Sequence, residues 1–316
     1  MSEALVSKYA NEFVLEFPSV DRFLFRASDL YELKSHISPE LVRRLANCHI
    51  YLLGKRPRLS LQPNSVAVDD EVLRFTVRYR LKGSEREAHV RVPRRFLPPD
   101  EVRFEASPDP HRELISRDKN GQVVAHTVLS NYADFIPDLE QGAKDIEVVY
   151  VGKGLSKSAH DRLLNHSTLQ EISLDINSND PDAEVFALVY QFGFHISRLG
   201  FVGVPVGVTG KQANKHVKAC MNFKPRLAMQ VSLVEPSIIS YFHTDRFNTH
   251  YLNWDKRAHK TIKAVSKADF AAMEVVLDNT NIGGQRLFSQ SVVPASVHHI
   301  IVDFRKLEGK SPFVPR

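Results

Sequence analysis

Arg162 and His166 stand four residues apart. Just before them, Tyr150-Val151-Gly152-Lys153-Gly154 supplies a phenol, an ammonium and two glycines. On a helix that spacing puts Arg162 and His166 on one face, where both could point at one ligand. Glu235, followed by Pro236 at what reads as a first helical turn, adds a carboxylate. Other chemistries lack their signatures. There is no G-x-S-x-G elbow, and Gly152-Lys153-Gly154 lacks the spacing of a Walker loop. His243, His250 and His259 fall close together, but no H-E-x-x-H or cysteine partner accompanies them. Cys48 and Cys220 are far apart and neither sits in a C-x-x-C, which argues against a cysteine-built zinc site or disulfide scaffold and fits a reducing compartment.

The elements that would position these groups follow from periodicity. Ile146 to Tyr150 reads as a buried strand, Gly152 and Gly154 as a close turn, and Ser158-Ala159-His160-Asp161 as a helix start with capping-box spacing. Before it, Val123 to Leu129 predicts a strand adjacent to this one, ending at Asn131-Tyr132. Nearer the start, Phe13 to Phe17 and Arg22 to Phe25 are strand candidates split by Pro18-Ser19, Ser38-Pro39-Glu40 opens a helix, and His49 to Leu53 is a buried strand closed by Gly54. Leu73 to Lys82 alternates over a whole strand, turns at Gly83 and returns through Val92; its outward arginines read as a solvated face. Val185 to Tyr190 is another buried strand, Thr209-Gly210 opens a helix, Arg226 to Val234 is strand-like, and Glu235 to Tyr241 is a short helix. Lys211, Lys215 and Lys218, and then Lys256, Lys260, Lys263 and Lys267, form stripes on two helices that would neutralise phosphates without reading sequence.

The bulk numbers suit two domains. The chain has 316 residues, 43% hydrophobic and 25% charged, with a net charge of +5 and a pI near 9.1. That mild basic excess agrees with a polyanionic partner. The first residues carry no signal-peptide pattern and no window is apolar for long enough to span a bilayer, so a cytoplasmic protein without membrane attachment is expected.

Tyr150 to Gly154 with Arg162 and His166 resembles the second half of the GIY-YIG nuclease motif, in the branch written Y-V/I-G-K-G. Glu235 to Phe242, followed by Phe247-Asn248, is similar to that family's glutamate helix and later asparagine. The resemblance covers about residues 123–267. It implies Tyr150 as the second signature tyrosine, Tyr132 as the candidate first one, Arg162 and His166 as helix cations, Glu235 as the metal ligand and Asn248 as the family asparagine. It also implies Mg2+ (or Mn2+), and a nucleic acid as partner, DNA ahead of RNA, with Lys153 and the lysine stripes on its backbone. One carboxylate with waters and a substrate phosphate is a normal magnesium arrangement. An arginine can hold the scissile phosphate, and a tyrosine can order the attacking water.

The expected fold is therefore α+β: a β-rich amino-terminal module over 1–110, a connection over 111–122, a GIY-YIG-like domain with a small antiparallel sheet flanked by helices over 123–267, and a strand-rich tail over 268–316. The expected activity is metal-dependent endonucleolytic hydrolysis. The alternative is a non-catalytic nucleic-acid-binding or interaction protein that retains the fold.

Overall fold

The computed structural model describes residues 9–30, 38–97, 103–155, 159, 167–200, 208–248, 261, 264–265 and 267–304. In chain order its strands begin with β1 (Asn11–Arg26), β2 (Ile50–Pro57), β3 (Ser60–Leu61), β4 (Ala67–Val68), β5 (Val72–Leu81) and β6 (Ser84–Pro93). They continue with β7 (Arg103–Ala106), β8 (Glu113–Arg117), β9 (Val123–Val128), β10 (Ile146–Lys153), β11 (Ala183–Phe192) and β12 (His195–Gly200). The last three are β13 (Ala272–Asp278), β14 (Leu287–Phe288) and β15 (Val297–Asp303). The α-helices are α1 (Pro39–Ala46), α2 (Gln141–Lys144), α3 (Ser167–Asn179), α4 (Gly210–Met221) and α5 (Leu227–Phe242).

A mainly antiparallel sheet of eight strands runs β14-β10-β2-β11-β1-β13-β15, with β12 beside the first part of β1. It is larger than the sequence suggested, because strands from both ends of the chain join it. The proposed break after residue 110 does not divide it: β1 and β2 are interior strands, and the tail strands β13 and β15 pair beyond β1. Pro18-Ser19 does not end β1. The strand changes partners there, from β12 and β13 to β11, with a register shift between Ser19 and Asp21.

Both faces of the sheet are covered. On one, Phe13, Leu15, Ile50, Leu52, Val148, Val151 and Leu188 pack with Val231, Val234 and Ile238 of α5 and Cys220 of α4. On the other, Tyr51, Leu53, Val185, Ala187 and Val189 pack with Leu45 of α1 and with Leu169, Ile172 and Ile176 of α3. β11 lies between the two layers and is buried from Ala183 to Tyr190, which is why it reads as a continuous apolar run. Among the described residues, no helix is long and apolar enough to cross a membrane.

The chain leaves this sheet after β2 and returns at β10. The excursion, 58–145, has its own core of Leu59, Leu73, Phe75, Val77, Tyr79, Val90, Leu114, Leu129 and Ala133 among others. It holds a four-stranded sheet, in which β5 and β6 form the expected hairpin, and a three-stranded sheet β7-β8-β9. The expected adjacency of the Val123–Leu129 strand to β10 is therefore corrected: β9 pairs with β8, and β10 pairs with β2. A buried arginine ties the excursion to the main sheet. Arg56 donates to Ser130 O and to Gln285 Oε1 (3.1 Å) and lies 4.3 Å from the centroid of the Phe186 ring.

Candidate active site

The β2–β10 pairing brings two tyrosines together. Antiparallel register sets Tyr51 opposite Gly152 and Leu52 opposite Val151. A Cβ on Gly152 would lie 2.3 Å from Tyr51 Cζ, so the absence of a side chain there is what lets the phenol cross the neighbouring strand. The Tyr51 ring then sits 5.9 Å from that of Tyr150, at 39°. The turn after β10 is fastened to the start of β2: Gly154 N–H donates to His49 O (2.9 Å), and His49 Nδ1–H donates to Gly154 O (2.8 Å). Ala159 N–H donates to Cys48 O (2.8 Å).

Tyr132 does not take this place. It lies in the 3-10 helix Leu129–Phe135 of the excursion, 51% exposed, with its ring 6.4 Å from that of Phe135. Residues 58–145 separate β2 from β10, so proximity in sequence pointed to Tyr132 while strand pairing selects Tyr51. A signal was present in His49-Ile50-Tyr51, a buried strand with tyrosine at its third position.

The carboxylate approaches from the other face. Arg226 to Phe242 is not a strand followed by a short helix. α5 runs from Leu227 through Phe242 with Pro236 inside it. The helix survives the missing N–H because its surroundings are apolar: Val231, Leu233, Val234, Ile238, Ile239 and Phe242 are all buried. Its middle presents Glu235, 3% exposed, and the Lys153 ammonium donates to Glu235 Oε2. Lys153, expected on a nucleic-acid backbone, thus faces this carboxylate instead. Between the start of β2 and α5 is a cavity of about 190 Å³ lined by His49 and Ile50 on one side and by Gln230, Val231 and Val234 on the other. A larger cleft of about 550 Å³ runs along the first half of β10, and its cations Lys55 and Arg246 pair with Asp180 and Asp175.

Asn248 clamps β10. α5 ends at His243 in the left-handed conformation (φ 52°, ψ 52°), which turns the chain back toward the strand. Asn248 Oδ1 then accepts from Val151 N–H (3.2 Å) and from the Thr244 hydroxyl (2.8 Å), while Nδ2 donates to Val151 O (2.8 Å). β14 pairs with β10 at Ile146 and Glu147, and at Val151 the outer edge of β10 is met by this side chain. The asparagine satisfies both backbone groups of one strand residue.

Around one end of β10 the fold thus gathers Tyr51, Tyr150, Lys153, Glu235 and Asn248. The tyrosines pack on the α3 face, and Lys153 with Glu235 lies on the α5 face. Lys211, Lys215 and Lys218 are exposed on α4, which buries His216 and Cys220 and sets His216 against Phe13 of β1 (ring centroids 5.5 Å apart). β1 is three strands from β10, about 14 Å at the usual spacing. That stripe is not brought to the tyrosine–glutamate end. Arg162, His166, Lys256, Lys260 and Lys263 lie outside the described residues. No protein-family model, curated protein or solved structure matches the chain.

Proposed function

We propose that this chain is a metal-dependent endonuclease of GIY-YIG type that hydrolyses phosphodiester bonds, with DNA the first choice of substrate. The observation that carries the reading is the β2–β10 pair, which sets Tyr51 beside Tyr150 and, at the same strand end, holds Glu235 through Lys153. In this reading Tyr51 replaces Tyr132 as the first signature tyrosine. The tyrosines would order the water that attacks phosphorus, Arg162 would offset charge growing on the phosphate, Lys153 stays with Glu235, and Asn248 keeps β10 at a fixed position.

The resemblance implies magnesium or manganese at Glu235. The donor chemistry fits, since a carboxylate oxygen completed by waters and phosphate suits Mg2+. Glu235 is the protein ligand that the resemblance assigns to the ion. When bound, the ion would polarise the phosphate and acidify the attacking water.

A second reading, a nucleic-acid-binding protein that does not cleave, is favoured by the near-complete burial of Glu235 and by the placement of the tyrosines on the opposite face. Incubation with branched, single-stranded and duplex DNA in magnesium separates the two. The wild-type chain is expected to cleave at least one substrate, with the rate falling about 100-fold or more in Glu235→Gln and in Tyr51→Phe. Equal cleavage by wild type and Glu235→Gln would remove Glu235 from the site. Binding without cleavage by any form would establish the second reading.

A further inference from the structure

Several arginines meet a carboxylate: Arg26 with Asp29, Arg44 with Asp21, Arg117 with Glu105 and Arg246 with Asp175. Arg58 and Arg112, which face one cavity, do not. Among the described residues, neither Arg58 nor Arg112 forms an ion pair, and the Nε of each is buried without a hydrogen-bond partner. The Arg58 guanidinium makes one long bond, 3.4 Å, to Asn177 Oδ1. Burial, followed by the charge of Arg112, pushes the Arg58 guanidinium below its ordinary value.

These two cations share the wall of one cavity of about 320 Å³, with Ser28, Gln170, Ser173 and Asn177. Glu184 also lines it, but that carboxylate is already engaged: the Ser130 hydroxyl donates to it and Arg26 lies 3.5 Å away. Two partly desolvated guanidinium groups without a carboxylate of their own are costly, and an anion between them removes the cost. Two planar forks surrounded by hydroxyl and amide groups match the oxygens of a tetrahedral oxyanion.

We propose that this cavity binds a phosphate group. The site goes beyond the hydrolytic reading and does not depend on it. Leu169 and Val185 belong both to its wall and to the apolar layer that contains Tyr51, so it opens on the tyrosine face of the main sheet. A phosphate held there is either part of a nucleic-acid strand crossing that face or a free phosphate.

Calorimetric titration of the full chain with inorganic phosphate, at ionic strength matched with chloride, tests this. Saturable binding is expected, weakened about tenfold or more in Arg112→Gln, with part of the affinity restored in Arg112→Lys. A phosphate-dependent rise in Tm that is lost in Arg58→Gln is the second readout, and it also shows that the variant is folded. Displacement of phosphate by a short single-stranded oligonucleotide in the wild type assigns the site to a nucleic-acid strand. Failure of the oligonucleotide to displace it assigns the site to free phosphate. No saturable binding by the wild type, or equal affinity in the wild type and in the Arg58→Gln/Arg112→Gln double variant, overturns the proposal.

Discussion

On the outer face of the β5–β6 hairpin, Arg74, Arg78 and Arg80 meet Asp69, Glu87 and Glu85 with side chains between 44% and 85% exposed. At the end of β10, Lys153 meets Glu235, whose side chain is only 4% exposed. The groups are chemically alike, but their settings differ. Each hairpin pair sits in high dielectric and is worth about 0–1 kcal/mol. The β10 pair takes a carboxylate out of water into an apolar helix layer, so its loss leaves a charge that the surroundings solvate poorly. A row of arginines on an exposed strand therefore says little about function, whereas one buried glutamate with a lysine brought from another element marks a place that the fold maintains at a cost.

Three substitutions probe that contrast, in descending order of effect. Lys153→Met keeps most of the side-chain volume and removes the ammonium that Glu235 faces; it is expected to destabilise by about 3 kcal/mol in urea unfolding. Adding Glu235→Leu to that variant is expected to recover most of the loss, and no recovery would show that the pair does not act as a unit. Gly152→Ala forces a methyl into the Tyr51 ring and is expected to cost about 2 kcal/mol, a penalty that shrinks when Tyr51 is also changed to alanine. Equal penalties in both backgrounds would mean that the ring is not what Gly152 accommodates. Arg78→Ala on the hairpin is expected to shift stability by less than about 0.5 kcal/mol. A drop comparable with that of Lys153→Met would erase the contrast.

Local patterns were legible wherever one face or one cap decides the structure. The β5–β6 alternation, the Ser38 cap of α1, whose hydroxyl accepts from Leu41 N–H at 3.2 Å, and the Thr209 capping box of α4 all follow from neighbouring residues. What escaped was non-local. Nothing in the order of residues says that β2 and β10 pair across an intervening core, so the packing of Tyr51 against Tyr150 is not legible in it. The first half of α5 read as a strand because Val231, Leu233 and Val234 are buried and near-continuous, a pattern that does not distinguish helix from strand in a short run. Glu235 and Asn248 stand out in the sequence as residue types, while their contacts do not. The clamp Asn248 applies to Val151 depends on where β14 stops, which is a tertiary fact.

The return of the chain at β10 has a kinetic side. Glu147 and Val148 pair with Lys55 and Gly54, so the two ends of the 58–145 excursion meet as if they flanked an ordinary hairpin turn. A fully flexible loop of that length would charge its closure entropy to this pairing, rising by about 0.6 kcal/mol for each doubling of length. An excursion that has already collapsed on its own apolar centre presents only the short gap between its ends. If 58–145 collapses first, one of the most distant contacts in the chain becomes a near-local one, and the joining of Tyr51 to Tyr150 carries little further loop-closure entropy.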